Sequence, residues 1–255
     1  MLETDVYGYF AFGYNYYILR RGSEGHRVHG EDSLEVLLDE FFDYLDTLNL
    51  QVTSQAAYDL RGIRERLGSL PEDARVNSEL AREVNQACEK LDVTLDSELG
   101  LRTAFVVMPG RFSVHHLLDA PTELLGSETL PRIPDIAVFD FISACRAIAF
   151  GLGTAAAFHL MRCVEAMLRA YYCNIVKRQR VKQLLWFPMV QHLRKRRDAP
   201  PRALLDHLDN IRVNFRNPTQ HPEARYELEE AQDLLSLSID ALNRMARDLR
   251  DRNAS

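Results

Sequence analysis

What most constrains this chain is the succession of apolar stripes at helical spacing, broken only by proline and glycine signals, from Asp135 to Arg252. Asp135 is placed to cap a helix reaching Phe150, and Gly151-Leu152-Gly153 turns the chain. Thr154 is placed to cap the next helix, which extends to about Val176 with Phe158, Met161, Val164, Leu168 and Tyr171 near one face. A helix from Leu184 to about Arg194 is ended by Pro200-Pro201. The next, from Ala203 to about Phe215, carries Leu204, Leu205, Leu208, Ile211 and Phe215. The last runs from Glu227 to Leu249, and the acids Glu227, Glu229 and Glu230 favour the positive end of its dipole. Amphipathic helices joined by short links must bury their stripes against one another, so an antiparallel bundle is expected.

The first half reads less uniformly. Ser33 is placed to cap a helix with Leu34, Leu37, Leu38, Phe41, Leu45 and Leu48 at helix spacing. A second helix is expected over Ser54 to Leu67, and a third from Ser78 to a stop at Gly100. The aromatics between Tyr7 and Tyr17 suit either a strand or a docked irregular segment, and their alternation does not decide between them. Arg102 to Met108 is the best strand candidate, closed by Pro109-Gly110. The expected fold is therefore mainly α: an N-terminal helical region with a small β element over residues 1–130, then a helical bundle over 131–255. The Pro121–Pro134 connector marks the join.

Composition enters as a set of exclusions. An apolar share of 46% with 27% charged residues is that of a folded globular chain. A net charge of −6 excludes a polycation that coats nucleic acid, so any RNA contact must be local. Cys88, Cys145, Cys163 and Cys173 form no C-x-x-C pair, which points to reduced thiols in a cytoplasmic protein. Only the adjacent His115-His116 approaches metal-ligand spacing, so neither a metal nor a cofactor is expected. The apolar region Ile136–Met161 is interrupted by Asp140, Arg146 and His159, and reads as a buried hairpin with no membrane span.

The chemistry concentrates in Arg216-Asn217-Pro218-Thr219-Gln220-His221-Pro222. On a continuous helix, residues five apart point about 140° apart, so Arg216 and His221 would not converge. Pro218 and Pro222 are expected to forbid that helix and leave a stiff turn between two helix ends. Arginine is a permanent cation whose fork matches phosphate oxygens, and histidine exchanges protons near neutrality. Those types suit phosphodiester cleavage in which the ribose 2′-OH is the nucleophile. The spacing alone is weak: Arg21/His26, Arg111/His116 and Arg202/His207 share it. Only the pair at 216 and 221 has an amide directly after the arginine and lies between two strong helices.

With Tyr226 and Glu229-Glu230-Ala231 opening the next helix, and Thr154–Glu165 upstream, the segment resembles the HEPN superfamily of helical nucleic-acid-processing domains, in a bacterial abortive-infection and toxin-like branch. The likeness covers roughly Asp135 to Arg247. It implies a homodimer with two Arg/His motifs facing each other, and a metal-independent endoribonuclease of RNA, transfer RNA included, leaving a 2′,3′-cyclic phosphate. In it Arg216 binds phosphate, His221 transfers protons and Asn217 orients them; Glu165, Arg162 and Tyr226 are candidates to support the site. An antitoxin or defence-system partner fits the same resemblance. Lys177, Arg178, Arg180, Lys182, Arg194, Lys195, Arg196 and Arg197 form a basic run suited to tracking RNA phosphates. One rival is a catalytically silent HEPN-like module that binds a nucleotide, RNA or a partner. Another is a structural oligomer built through the N-terminal half.

Overall fold

The computed structural model describes residues 6–21, 24–107, 110–177, 181–219, 221 and 223–254. The chain is mainly helical and groups into two compact units, the first ending at Val106 and the second starting at Val107. No helix is long and apolar enough to cross a membrane among the described residues.

In the first unit the aromatic N-terminal segment is helix α1 (Val6–Arg21), neither strand nor irregular. Its aromatics fall into two helical stripes: Phe12 is buried with Tyr9 and Tyr16 packed beside it, whereas Tyr7, Phe10, Tyr14 and Tyr17 face outward. The inner stripe meets α2 (Leu34–Thr47), where Phe12 and Phe41 stack with ring centroids 5.8 Å apart. Ser33 caps α2 as expected, its hydroxyl accepting the Val36 N–H. The helix expected over Ser54–Leu67 starts earlier and is broken at Ala57, giving α3 (Gln51–Ala56) and α4 (Tyr58–Leu67). The start of α3 is capped from outside: Glu98, on α5 (Ser78–Gly100), accepts the Val52 and Thr53 N–H groups.

The strand expected at Arg102–Met108 does not form. Residues 102–107 are irregular, with Phe105 and Val106 exposed, and Met108 lies outside the described residues. An apolar alternation without a neighbour to pair with satisfies no backbone groups. Among the described residues the β content is one antiparallel bridge, Arg27 with Arg75.

The second unit begins with the short α6 (Val114–Leu118) and two 3-10 turns, Pro121–Leu124 and Leu130–Arg132. Helix α6 packs on α7 (Asp135–Ala149), so the Pro121–Pro134 connector lies within this unit. Helix α7 forms an antiparallel hairpin with α8 (Gly153–Ile175); α12 (Leu228–Asn253) packs on both, α9 (Trp186–Arg194) packs on α8, and α10 (Arg202–Ile211) packs against α9 and α12. Met161, Val164, Leu168 and Tyr171 of α8 are buried, as their spacing predicts, but Phe158 is exposed. Glu227 and Glu230 form a capping box at the start of α12.

Two expected details differ. Pro134 takes the N-cap position of α7 and Asp135 becomes its first residue. Thr154 caps nothing: α8 starts at Gly153, and the Thr154 hydroxyl accepts the Tyr226 N–H at 3.0 Å instead.

Candidate functional site

The helix expected to stop near Phe215 continues past Arg216. After α10 comes a π-turn, Arg212–Arg216, and then a single helical turn, α11 (Asn217–Thr219), which contains Pro218. Proline was expected to end the helix because it lacks an N–H and its ring collides with the carbonyl four residues back. The π-turn removes that conflict by inserting one extra residue, so the Asn217 N–H reaches back five residues to the Arg212 carbonyl. Asn217 itself keeps helical dihedrals, φ −66° and ψ −50°, despite preceding a proline. The chain leaves the helix only afterwards: the His221 N–H bonds the Pro218 carbonyl, and the Ala224 N–H bonds the His221 carbonyl. Gln220 and Pro222 lie outside the described residues.

This path sets the two central side chains apart in kind. Arg216 leans on α8, where its Nε and Nη2 each lie 3.3 Å from Oε2 of Glu165. Glu165 is well covered and also accepts from Arg169 at 2.7 Å, one helical turn on. The guanidinium is therefore held by a shared carboxylate, and Nη1 has no partner among the described residues. His221 is exposed, and its imidazole has no hydrogen-bond or ion-pair partner among the described residues. No hydrogen bond joins it to Arg216. Asn217 is likewise exposed.

Tyr226 works as a clamp. Its hydroxyl donates to the Phe215 carbonyl at 3.0 Å and meets the Thr219 hydroxyl at 2.9 Å, and its ring stacks on Phe215. Thr219 donates to the same carbonyl at 2.6 Å. Side-chain hydroxyls thus satisfy a carbonyl at the end of the helix that carries Arg216.

A residue that sequence reasoning passed over lies nearby on the hairpin. Asp140 of α7 is only 1% exposed, and its two oxygens are divided between His159 Nδ1 at 2.8 Å and Arg162 Nε at 3.1 Å. Arg162 thus belongs to Asp140, while Glu165, one turn along α8, belongs to Arg216. The readable signal was an acid in an apolar helix opposite a His/Arg pair three residues apart, across a tight hairpin. A buried carboxylate is tolerable only while paired. His159→Ala combined with Arg162→Ala should therefore cost about 3–5 kcal/mol, the range for stranding one buried charge. Adding Asp140→Leu to that double variant should recover most of the loss, because the stranded charge goes with it. Urea unfolding of the three chains checks this; a double variant within about 1 kcal/mol of wild type would contradict it.

The basic run divides as well. Arg194 is taken by Asp206 at 2.7 Å and Asp209 at 3.0 Å, and Arg196 pairs with Asp198 at 2.8 Å. Lys177, Lys182, Lys195 and Arg197 are exposed; Arg178 and Arg180 lie outside the described residues. Trp186 is core, its indole donating to the Leu208 carbonyl, whereas Phe187 is half exposed beneath the Arg212 guanidinium, 4.8 Å away. Burial pushes the Cys88 and Cys145 thiols up to about 12 and raises Cys163 as well, so none of the three is a thiolate at neutral pH. Cys173 is free and exposed. Among the described residues no group of three or more His, Cys, Asp or Glu is placed to hold a metal ion.

No protein-family model, curated protein or solved structure matches this chain.

Proposed function

We propose that the second unit is a HEPN-like endoribonuclease that acts in the cytoplasm as a toxin or antiviral-defence effector and cuts RNA, transfer RNA included, as a homodimer. The observation that carries the reading is the contrast at the end of the α10 helix. Among the described residues, Arg216 is held by Glu165 with one nitrogen to spare, and five residues on His221 stands exposed with no partner on its imidazole. In this reading an imidazole takes the proton of the ribose 2′-OH, whose oxygen attacks the adjacent phosphorus. The 5′-oxygen leaves with a proton returned to it, giving a 2′,3′-cyclic phosphate and a 5′-hydroxyl. Arg216 neutralises the charge that grows on the phosphorane oxygens, and Asn217 orients the groups.

Two further features support the reading. From Val107 on, the chain has 21 Lys and Arg against 17 Asp and Glu, a local excess of cations within an acidic protein. Ile136, Phe139 and Phe158 expose apolar surface on the α7–α8 hairpin that carries Glu165, a surface suited to a second copy. Such a pairing would supply two imidazoles, one as base and one as acid.

A second reading rests on the Glu165 carboxylate. It already neutralises Arg216, as Asp206 and Asp209 neutralise Arg194, which favours a silent module that holds a nucleotide, RNA or an antitoxin without cutting. Incubating structured RNA with wild type and with His221→Ala in EDTA separates the two. The expected result is cyclic-phosphate products from wild type alone, with a loss of at least about 100-fold in the variant. RNA retained by wild type without products supports the silent module, and equal cutting by both chains removes His221 from the mechanism.

A further inference from the structure

We propose that α1 is a self-association surface: two copies of the chain pair through the outer stripe of this helix, antiparallel and about a two-fold axis. The proposal is independent of any nuclease activity. Tyr7, Phe10, Tyr14 and Tyr17 are 57–71% exposed, and with Val6 they line one face of a sixteen-residue helix. Rings already meet along the stripe: Tyr7 lies tilted against Phe10, and Phe10 stacks with Tyr14. A row of exposed rings is costly to leave in water, and isolated surface hydrophobes do not explain a contiguous one.

The chemistry of the surroundings selects the occupant. From Val6 to Leu19 there is no charged residue, so the stretch from Tyr7 to Tyr17 brings no charge against its own copy; Arg20 and Arg21 lie beyond it in the last turn. The unit that carries it has 10 Lys and Arg against 20 Asp and Glu, a net charge of −10. That balance repels RNA and anionic lipid alike, although exposed rings could otherwise stack on bases or enter a membrane interface. A second copy carries the same net charge but brings an uncharged aromatic face to the contact, where RNA and anionic lipid bring their phosphates.

The stripe is also complementary to itself. In an antiparallel pairing where the two residue numbers sum to 24, Tyr7 meets Tyr17 and Phe10 meets Tyr14, and the two-fold axis repeats each pair. Gly13 lies within the same face with nothing within 4 Å of where its β-carbon would be, leaving a notch that a partner's ring can enter. Aromatic side chains bury about 150–250 Å² each, so four at roughly two-thirds exposure, plus Val6, offer about 600 Å² per copy. The pair buries about 1,200 Å², which reaches the lower bound of stable specific interfaces.

The test is the solution mass of the full chain by sedimentation or light scattering at concentrations of tens of micromolar. Phe10→Glu with Tyr14→Glu is expected to halve the mass of the wild-type assembly, with helical content unchanged. Halving is read relative to wild type, so a separate pairing through the second unit does not mask it. A variant with the wild-type mass, or a wild type that is monomeric throughout, overturns the proposal. A second arm does not depend on how the glutamates fold. In a Cys173→Ser background, Phe10→Cys chains mixed with Tyr14→Cys chains under mild oxidant are expected to form a cross-linked pair. Tyr58→Cys, at a comparably exposed site on α4, should not; equal cross-linking at all positions sinks the inference.

Discussion

Arg216→Ala is expected to lower RNA cleavage in EDTA by at least about 10³-fold, while the protein stays folded. The size follows from the role: removing a preorganised donor aimed at developing charge costs about 10²–10³ in rate, and a full cation exceeds a neutral donor. Stability should hardly move. The Arg216–Glu165 pair has partners at 3.3 Å and a quarter-exposed guanidinium, and pairs of that kind contribute up to about 1 kcal/mol. A 10³-fold rate loss corresponds to about 4 kcal/mol at the barrier, so rate and unfolding separate cleanly. Arg216→Lys should lose nearly as much, because an ammonium cannot hold Glu165 through two nitrogens and still present a third to phosphate. Glu165→Ala should cost about 10-fold to 100-fold, through a guanidinium free to wander from its working position. The measurement is the initial rate of product formation beside a urea curve for each chain. Should Arg216→Ala cut at the wild-type rate, the guanidinium is a structural tie and the site lies elsewhere.

What the sequence made legible, and what it hid, follows one physical division. Elements fixed by a local rule could be read: Ser33 as a cap, Ser78 to Gly100 as one helix, Glu227 with Glu230 opening the last. Their determinants lie within a turn or two of each other in the chain. Helix α1 was hidden because Tyr7 and Tyr9 alternate as in a strand while Tyr9, Phe12 and Tyr16 repeat at helical spacing, and tertiary contact with Phe41 chooses the helical period. Pro218 misled for a related reason: the rule that proline ends a helix assumes a regular ladder, and the π-turn at Arg212–Arg216 supplies an irregular one. Partnerships across the bundle were hidden too. Nothing local tells that Arg194 is spent on Asp206 and Asp209, or that Asp140 unites His159 with Arg162. The candidate site shows the same split. The residue types at 216, 217 and 221 are readable, whereas Glu165 as the group that holds Arg216 needs the fold.

Gly153→Ala, a change of one methyl group outside the motif, is expected to disturb the site from behind. A β-carbon there would lie 2.8 Å from the Glu227 carbonyl oxygen and closer still to that of Tyr226. Both obstacles are backbone, so no side chain can swing aside and the 224–227 segment must move. That segment is fastened at two points: the Tyr226 N–H on the Thr154 hydroxyl, and the Tyr226 hydroxyl on the Phe215 carbonyl. Moving it breaks the first bond and draws the Tyr226 ring away from Phe215, the residue directly before Arg216. Overpacking of this kind costs about 1–3 kcal/mol, and each lost hydrogen bond adds about 1 kcal/mol, so a total near 3 kcal/mol is expected. Alanine favours the helix by up to about 1 kcal/mol over glycine, too little to offset the clash. Thermal unfolding reads the loss directly. Thr154→Val is the control that separates clash from bond: it removes the hydroxyl without crowding the backbone and should cost only about 1 kcal/mol. If Gly153→Ala unfolds at or above the wild-type temperature, the 224–227 segment is not seated against the start of α8. The clamp that Tyr226 places on the end of the Arg216 helix then loses its anchor.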